Sequence, residues 1–291
     1  MRIGIFGSDC KEDKLHVIKG LFYKLKTLNA EVYIQPSFQS FLEQAFGFEP
    51  ETDGIVENNY YTLDIVLSVG GDGTFLRTAM LVNEYDIPIL GINTGRLGFL
   101  AESGSTQIDD TLDELFRGEF YVEERSMLQL RSDKGDDFSG FDLALNDIAI
   151  MKRDNSSMIT IHTYLNGDYF TSYRADGLVV ATPTGSTAYS MSINGPLLLP
   201  QNHNFILNPV APHSLTVRPI IVPDDTKIML NVESRSNSFL IASDGRSQDC
   251  STGKMLIISK SKNTTRIVKR FNHTFYQTLR EKLMWGRDAR S

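Results

Sequence analysis

Three stretches of this chain combine residue types and spacings able to do chemistry. In the first, Gly70-Gly71-Asp72-Gly73-Thr74, glycines flank a single carboxylate between the apolar run Ile65 to Val69 and the stripe Phe75, Leu76, Ala79 and Met80. Glycine lets a phosphate approach the backbone with no Cβ in the way, and a helix starting there turns its first N–H groups and its positive dipole end toward an anion. Asp-Gly is also ordinary turn chemistry, so the pentapeptide alone leaves a tight turn open. The second stretch, Arg174 to Ser192, carries Asp176 and then a loop of hydroxyls and small residues, Thr182-Pro183-Thr184-Gly185-Ser186-Thr187-Ala188-Tyr189-Ser190. Such a loop packs closely on a ribose or purine while offering donors and acceptors, although a helix start capped by Thr184 or Ser186 is the other reading. The third is Asn146-Asp147, two residues depleted from strands inside a strand-like run; alone, the pair also reads as a bulge or turn.

Common alternative devices are missing from the sequence. Neither Gly-x-x-x-x-Gly-Lys-Ser/Thr nor a strand-linked Gly-x-Gly-x-x-Gly occurs, so a phosphate held at Gly70 to Thr74 is held in another way. No serine lies in Gly-x-Ser-x-Gly, and His16, His162, His203, His213 and His273 have no metal spacing. Cys10 and Cys250 stand far apart, which indicates neither a disulfide framework nor a zinc site. The 291 residues suffice for two domains, and 41% hydrophobic with 22% charged residues is an ordinary soluble composition. A net charge of −7 argues against nucleic acid or an anionic membrane as the main partner, while allowing a local basic pocket. No apolar run approaches the ~20 residues of a membrane span, and Met1 to Ile5 reads as a strand at once, so a cytoplasmic protein is expected.

The elements that must position these stretches change character midway. Arg2 to Gly7, the helical spacing of Leu15, Ile18, Phe22 and Leu25, and Ala30 to Ile34 form a βαβ unit. Residues 35 to 59, with Pro36, Gly47, Pro50 and Gly54, read as an insertion or lid holding one helix near Phe38 to Phe46. Ile87 to Ile92 is a strand, and the loop Asn93 to Leu100 after it is expected to border the same crevice as the Gly70 loop, because open α/β sheets bind ligands beyond their strands' carboxyl ends. Ile108, Leu112, Leu115 and Phe116 form an amphipathic helix with Asp109 and Asp110 in its first turn.

From Met127 the period becomes two. Alternating runs are expected at Phe141 to Leu145, Ile148 to Ile150, Met158 to Leu165, Asp168 to Arg174 and Leu178 to Ala181, with Asn166-Gly167 as a hairpin turn. Five more follow, Thr216 to Val222, Lys227 to Val232, Ser238 to Ser243, Lys254 to Ser259 and Thr264 to Lys269, before a helical stripe of Phe275, Leu279 and Leu283. The expected fold is an N-terminal open α/β, Rossmann-like domain (1–125), a C-terminal β-sandwich (126–271) and a helical tail (272–291) that packs back on the first domain or a partner subunit.

Taken in order, Gly-Gly-Asp-Gly-Thr, then Asn-Asp, then Asp176-Gly177 running into Ala181-Thr182-Pro183-Thr184-Gly185-Ser186-Thr187-Ala188-Tyr189-Ser190 resembles the NAD kinases, from Arg2 to about Phe271. The resemblance implies an α/β domain followed by a β-sandwich, and transfer of the γ-phosphoryl of ATP to the 2′-hydroxyl of the adenosine ribose of NAD, with Mg²⁺ as divalent metal. It implies Asp72 as proton acceptor facing that hydroxyl, or as a residue that orients it or helps hold the metal. Gly70, Gly71, Gly73 and Thr74 would cradle ATP phosphates, and Arg77 and Arg96 would contact phosphate, with a surface salt bridge as the alternative. Asn146, Asp147, Arg174, Asp176, Thr184, Thr187, Ala188, Tyr189, Ser190 and Ser192 would hold NAD, Tyr189 against a ring. Assembly as a homodimer or homotetramer through the β domain is also implied.

Two departures stand out: Asn146-Asp147 replaces the family's common Asn-Glu, and Asp244-Gly245-Arg246 replaces a common Asp-Gly-Gln. The Gly70 loop by itself also fits a lipid or sugar kinase, and a non-catalytic NAD(P)-binding sensor is a third reading, against which the intact Asp72 speaks.

Overall fold

β-branched runs bounded by glycine and turn residues build the first half. The computed structural model describes residues 1–286 apart from 58, 59, 96, 97, 102, 103, 105, 106, 136, 137, 139, 154–156 and 272. The chain forms two compact units, Met1–Glu124 with Thr265–Ser291, and Arg125–Thr264.

The first unit alternates β1 (Arg2–Gly7), α1 (Leu15–Thr27), β2 (Glu31–Ile34), α2 (Pro36–Phe46), β3 (Gly54–Ile55), β4 (Ile65–Gly70), α3 (Asp72–Val82), β5 (Ile89–Asn93) and α4 (Ile108–Phe116). The strands run parallel in the order β5-β4-β1-β2-β3. Ile3 and Ile5 of β1 and Ile65, Leu67 and Val69 of β4 join Ile18 and Leu21 of α1, Leu42 of α2 and Leu112 of α4 in one buried cluster. On the opposite face, Thr78 of α3 donates to Ser68 of β4. Helices thus cover both faces, which leaves the carboxyl edge of the sheet for ligands.

Within residues 35 to 59 the helix expected near Phe38 to Phe46 forms as α2. Pro36 opens α2, left-handed Gly47 closes it, and Phe38 and Leu42 are buried one turn apart. β3 then adds an edge strand beside β2, and the scattered glycines and prolines mark the ends of these short elements.

The second unit contains β6 (Phe120–Ser132), β7 (Leu143–Ala144), β8 (Asp147–Lys152), β9 (Ile159–Leu165), β10 (Asp168–Ala175), β11 (Gly177–Ala181), a short α5 (Tyr189–Ser192), β12 (Asn204–Val210), β13 (Ile220–Pro223), β14 (Ile228–Glu233), β15 (Ser238–Ser243), β16 (Arg246–Ser251) and most of β17 (Met255–Arg270). One antiparallel sheet runs β13-β12-β11-β8-β15-β16, and a second runs β10-β9-β14-β17. Ile148, Ile150, Leu178, Val180, Phe205 and Leu207 of the first meet Ile159, Ile161, Leu230, Val232, Leu256 and Ile258 of the second in a single core. Each such side chain contributes roughly 1.5–3 kcal/mol of burial, so this core fixes the strands that carry the candidates. The far face of the first sheet, Ala149, Val179, Ala181 and Ile206, is covered by the segment that includes Leu198.

The Asn166-Gly167 turn forms as expected, with φ of 53° and 94°. Three strand expectations change. Residues 216–219 stay irregular ahead of Ile220, β6, β12 and β16 are additional strands, and the two runs expected between Lys254 and Lys269 are one continuous β17. Its end pairs parallel with β5 through Ile267 and Ile89, and α6 (Phe275–Leu283) follows.

Candidate active site

In the first unit, β4 delivers Gly70 and Gly71 to the start of α3, whose first residue is Asp72. Gly70 has φ 155°, and a Cβ there would collide with the Thr74 side chain. Thr74 is buried, and its Oγ1 shares a 2.7 Å hydrogen bond with Ser8 Oγ beyond the end of β1. Gly70 is therefore required by the fold. Gly71 and Gly73 are not: a Cβ at either would meet nothing within 4 Å. The first N–H groups of an α-helix have no partner inside it, so these two glycines keep a donor-rich surface open.

The Asp72 carboxylate is gripped by the next loop. Phe99 N–H donates to Oδ2 at 2.9 Å, and Leu100 and Ala101 N–H donate to Oδ1 at 3.0 and 3.2 Å. A Cβ on Gly98 would overlap that carboxylate, which explains glycine there. The Gly70 and Asn93 to Leu100 loops, expected to border one crevice, are thus in direct contact. Lys282 of α6 points its ammonium at Asp72 Oδ2, 3.4 Å away, and over the Phe99 ring, 4.3 Å from the centroid. Phe275 of the same helix packs against Phe99.

Beside Thr74 lies a pocket of about 430 Å³ lined by Ser8, Asp9, Gln35, Ser37, Arg77 and Leu81 among others. Arg77 makes no hydrogen bond or ion pair among the described residues, and its guanidinium is available to an anion. Arg96 lies outside the described residues.

In the second unit the candidates gather around the start of β8. Asp244, in the left-handed first position (φ 47°) of the turn joining β15 to β16, accepts N–H bonds from Leu145, Asn146 and Asp147 at 2.7, 2.8 and 3.1 Å. Gly185 packs on the Asn146 backbone where a Cβ would overlap it, and Thr182 N–H donates to Asn146 O. Asp147 is buried, and that burial, reinforced by the Asp244 charge, pushes its carboxyl up to about 7 against a bond from Tyr189 N–H. Burial also raises Asp244, but its three N–H bonds favour its charged form. The grip of three N–H groups thus opposes the rise at Asp244 more than the single bond from Tyr189 N–H opposes it at Asp147. Tyr189 is 38% exposed, and its hydroxyl is pushed upward by burial and by the charges of Asp147 and Asp176. Asp176 pairs with Lys152 at 2.7 Å.

Other candidates have partners within the protein. Thr184 Oγ1 accepts from buried Arg125, and Ser190, fully buried, accepts from Asn208 Nδ2 through both its oxygens. Thr187 and Ser192 hydroxyls donate to Thr184 O and Tyr189 O, and Ala188 N–H donates to Gly185 O. Arg174 stands apart from this group, lining a depression of about 410 Å³ with Thr160, Glu233 and Arg235. Arg246 donates to Gly140 O and Leu143 O.

Sequence reasoning missed Lys282, Asp244 as a backbone clamp, and the pocket residues Ser8, Asp9, Gln35 and Ser37. The pocket was open to the strand-end rule, since Gly7 and Ile34 end β1 and β2. Among the described residues no three His, Cys, Asp or Glu side chains are placed to hold a metal ion.

The chain matches the family descriptions "ATP-NAD kinase N-terminal domain" over residues 3–120 and "ATP-NAD kinase C-terminal domain" over residues 145–270. It is 47% identical over 290 residues to an NAD kinase of Bacteroides fragilis, with 100% of each chain covered. An NAD kinase of Porphyromonas gingivalis is 45% identical over 289 residues, with 99% of each covered. Among solved structures, a yeast NADH kinase complexed with NADH superposes with TM-score 0.84 at 22% identity, covering 99% of this chain and 89% of that one. An Archaeoglobus fulgidus NAD kinase in complex with ATP gives TM-score 0.75 at 28% identity, covering 98% and 99%.

Proposed function

This chain belongs to the NAD kinase family, and from that premise we infer the part each residue plays. The reaction is ATP-dependent phosphorylation of NAD to NADP. The bond from the γ-phosphorus to the β,γ-bridging oxygen breaks, its electrons leave with ADP, and the 2′-oxygen of the adenosine ribose bonds to that phosphorus as its proton departs. The lipid or sugar kinase and sensor readings have no observation that favours them.

In our reading Asp72 faces the 2′-hydroxyl, orients it and takes its proton. The carrying observation is the fixed carboxylate at the mouth of α3, with three N–H donors behind it and open glycine surface beside it. The transition state of phosphoryl transfer is loose, so positioning and charge neutralisation outweigh the basicity of the acceptor. Gly71 and Gly73 let the triphosphate lie on the first turn of α3; Gly70 and Thr74 hold that turn in shape. Arg77 reaches the same triphosphate from the adjoining pocket.

A divalent metal such as Mg²⁺ fits here as a rider on the triphosphate. It would be held mainly by phosphate oxygens and water, because among the described residues no three His, Cys, Asp or Glu side chains form a cage for it. Bound there, it would neutralise charge on the β and γ oxygens.

NAD is held in this reading by the second unit's rim. Asn146, Asp176, Thr187, Ala188 and Tyr189, half-buried or exposed, contact the dinucleotide, while buried Thr184 and Ser190 shape the loop from behind and exposed Ser192 bonds back to Tyr189 O. Asp147, buried beside Asn146, hydrogen-bonds a ribose hydroxyl in this reading. Arg174, on its separate depression, reaches only a distal part of NAD. We also propose a cytoplasmic location, since both cysteines are free and no described helix is long and apolar enough to cross a membrane. A homodimer or homotetramer is proposed on the strength of Leu215, 89% exposed in the second unit, with light scattering as its check.

The test incubates pure protein with NAD, ATP and Mg²⁺, reads NADP with an NADP-specific dehydrogenase and locates the new phosphate by ³¹P NMR. NADP bearing a 2′-phosphate is expected. No NADP above background, or turnover of a lipid or sugar instead, overturns the reading.

A further inference from the structure

From the contact between α6 and the Gly70 loop we propose that Lys282 is a catalytic residue, a cation that moves from Asp72 to the transferring phosphoryl group when substrates bind. The inference rests on the reading of Asp72 as the residue that receives the ribose hydroxyl.

The argument begins with lone pairs. An ionised carboxylate has about four acceptor positions, and in this structure four donors fill them on Asp72: the N–H groups of Phe99, Leu100 and Ala101, and the Lys282 ammonium. No position is left for a ribose hydroxyl. One donor must withdraw, and the three amides belong to a backbone that cannot move singly. Lys282 has the longest of the four contacts, 3.4 Å, against 2.9 to 3.2 Å for the amides, and sits at the end of a flexible stem with 30% of its side chain exposed. It is the donor that gives way.

Where the ammonium then goes is limited by its second anchor. The Phe99 ring supports it 4.3 Å from the centroid, so a small swing keeps the cation–π contact while turning its N–H donors toward the glycine surface at the start of α3. That surface is where the triphosphate lies in our reading. A point charge with three rotatable donors suits a phosphoryl group whose negative charge is spread over three oxygens. Helix α6 is built to hold this position. Thr274 and Gln277 form a reciprocal capping box at its start, Phe275 packs on Phe99, and left-handed Met284 closes it just past Lys282.

Lys282 thus serves two states. Before substrates arrive it neutralises Asp72, and with them bound it neutralises the phosphoryl group that the ribose 2′-hydroxyl attacks.

The test compares Lys282→Ala, Lys282→Met and Lys282→Arg with wild type, reading kcat, KM for ATP, NAD affinity by calorimetry and thermal unfolding. Loss of one transition-state donor predicts that kcat of the Ala and Met variants falls about 100-fold. KM for ATP is expected to rise, NAD affinity to stay within about two-fold, and Arg to recover part of the rate. Met keeps the apolar stem on Phe99 without the charge. Recovery by Met, a loss of rate that follows a loss of folded protein, or kcat within about two-fold of wild type in all three overturns the proposal. If wild type itself makes no NADP, the underlying reading fails instead.

Discussion

Asp72 and Asp244 are held by the same device in different halves of the molecule. Each carboxylate accepts three N–H groups from a loop distant in sequence, residues 99 to 101 for one and 145 to 147 for the other. Their neighbours differ. Asp72 has a cation beside it, a third of its side chain exposed and glycines with empty space over them. Asp244 has a second carboxylate nearby, and burial raises both. The N–H grip alone therefore does not mark a catalytic carboxylate. A grip next to mobile charge and open backbone makes a reacting group, whereas a grip closed in by protein makes a clamp.

The largest separation between the two is expected in catalysis. Asp72→Asn should lower turnover about 1,000-fold while NAD affinity changes no more than a few-fold, read by steady-state assay and calorimetry; near-normal turnover removes Asp72 from the chemistry. Asp244→Ala should lower stability by about 3 kcal/mol, because three buried N–H groups lose a charged acceptor, and a urea midpoint like that of wild type contradicts the clamp. The proton on Asp147 gives a smaller effect that depends on pH. An unfolded chain releases it near 3.8 and the folded one near 7, so its contribution to stability is complete below pH 4 and is lost as pH rises to 7. Asp147→Asn should thus gain stability relative to wild type between pH 4.5 and pH 7.5 in parallel urea titrations, and a constant difference refutes the assignment. The smallest effect is at Gly71. Gly71→Ala should cost at most about 1 kcal/mol of stability yet raise KM for ATP several-fold, whereas Gly98→Ala, overlapping Asp72, should impair both.

Local patterns made much of this legible in the sequence. The β-branched run into Gly70, the Asn166-Gly167 turn and the switch from helical spacing to alternation are short-range signals, and each became the element it indicated. β16 was not legible, because an edge strand needs little apolar surface and Arg246 to Ser251 buries only Cys250. Nor was the continuity of β17: the polar residues 260–263 between the two expected runs belong to the same strand. At the site, the glycines and Asp72 announced themselves by composition. Lys282 could not, since it lies 210 residues from Asp72 on a helix whose sequence shows only an ordinary amphipathic stripe. Asp244 entered the sequence reading only as part of Asp244-Gly245-Arg246, and the loop it grips is set by how β8 and β15 pair.

The contrast between the two carboxylates is tested most directly by single-turnover formation of NADP, measured by rapid quench on the folded fraction of Asp72→Asn and Asp244→Asn side by side. The expected result is a rate constant about 1,000-fold below wild type for Asp72→Asn and within about ten-fold of wild type for Asp244→Asn. Equal losses in the two variants, or an unimpaired Asp72→Asn, would contradict it.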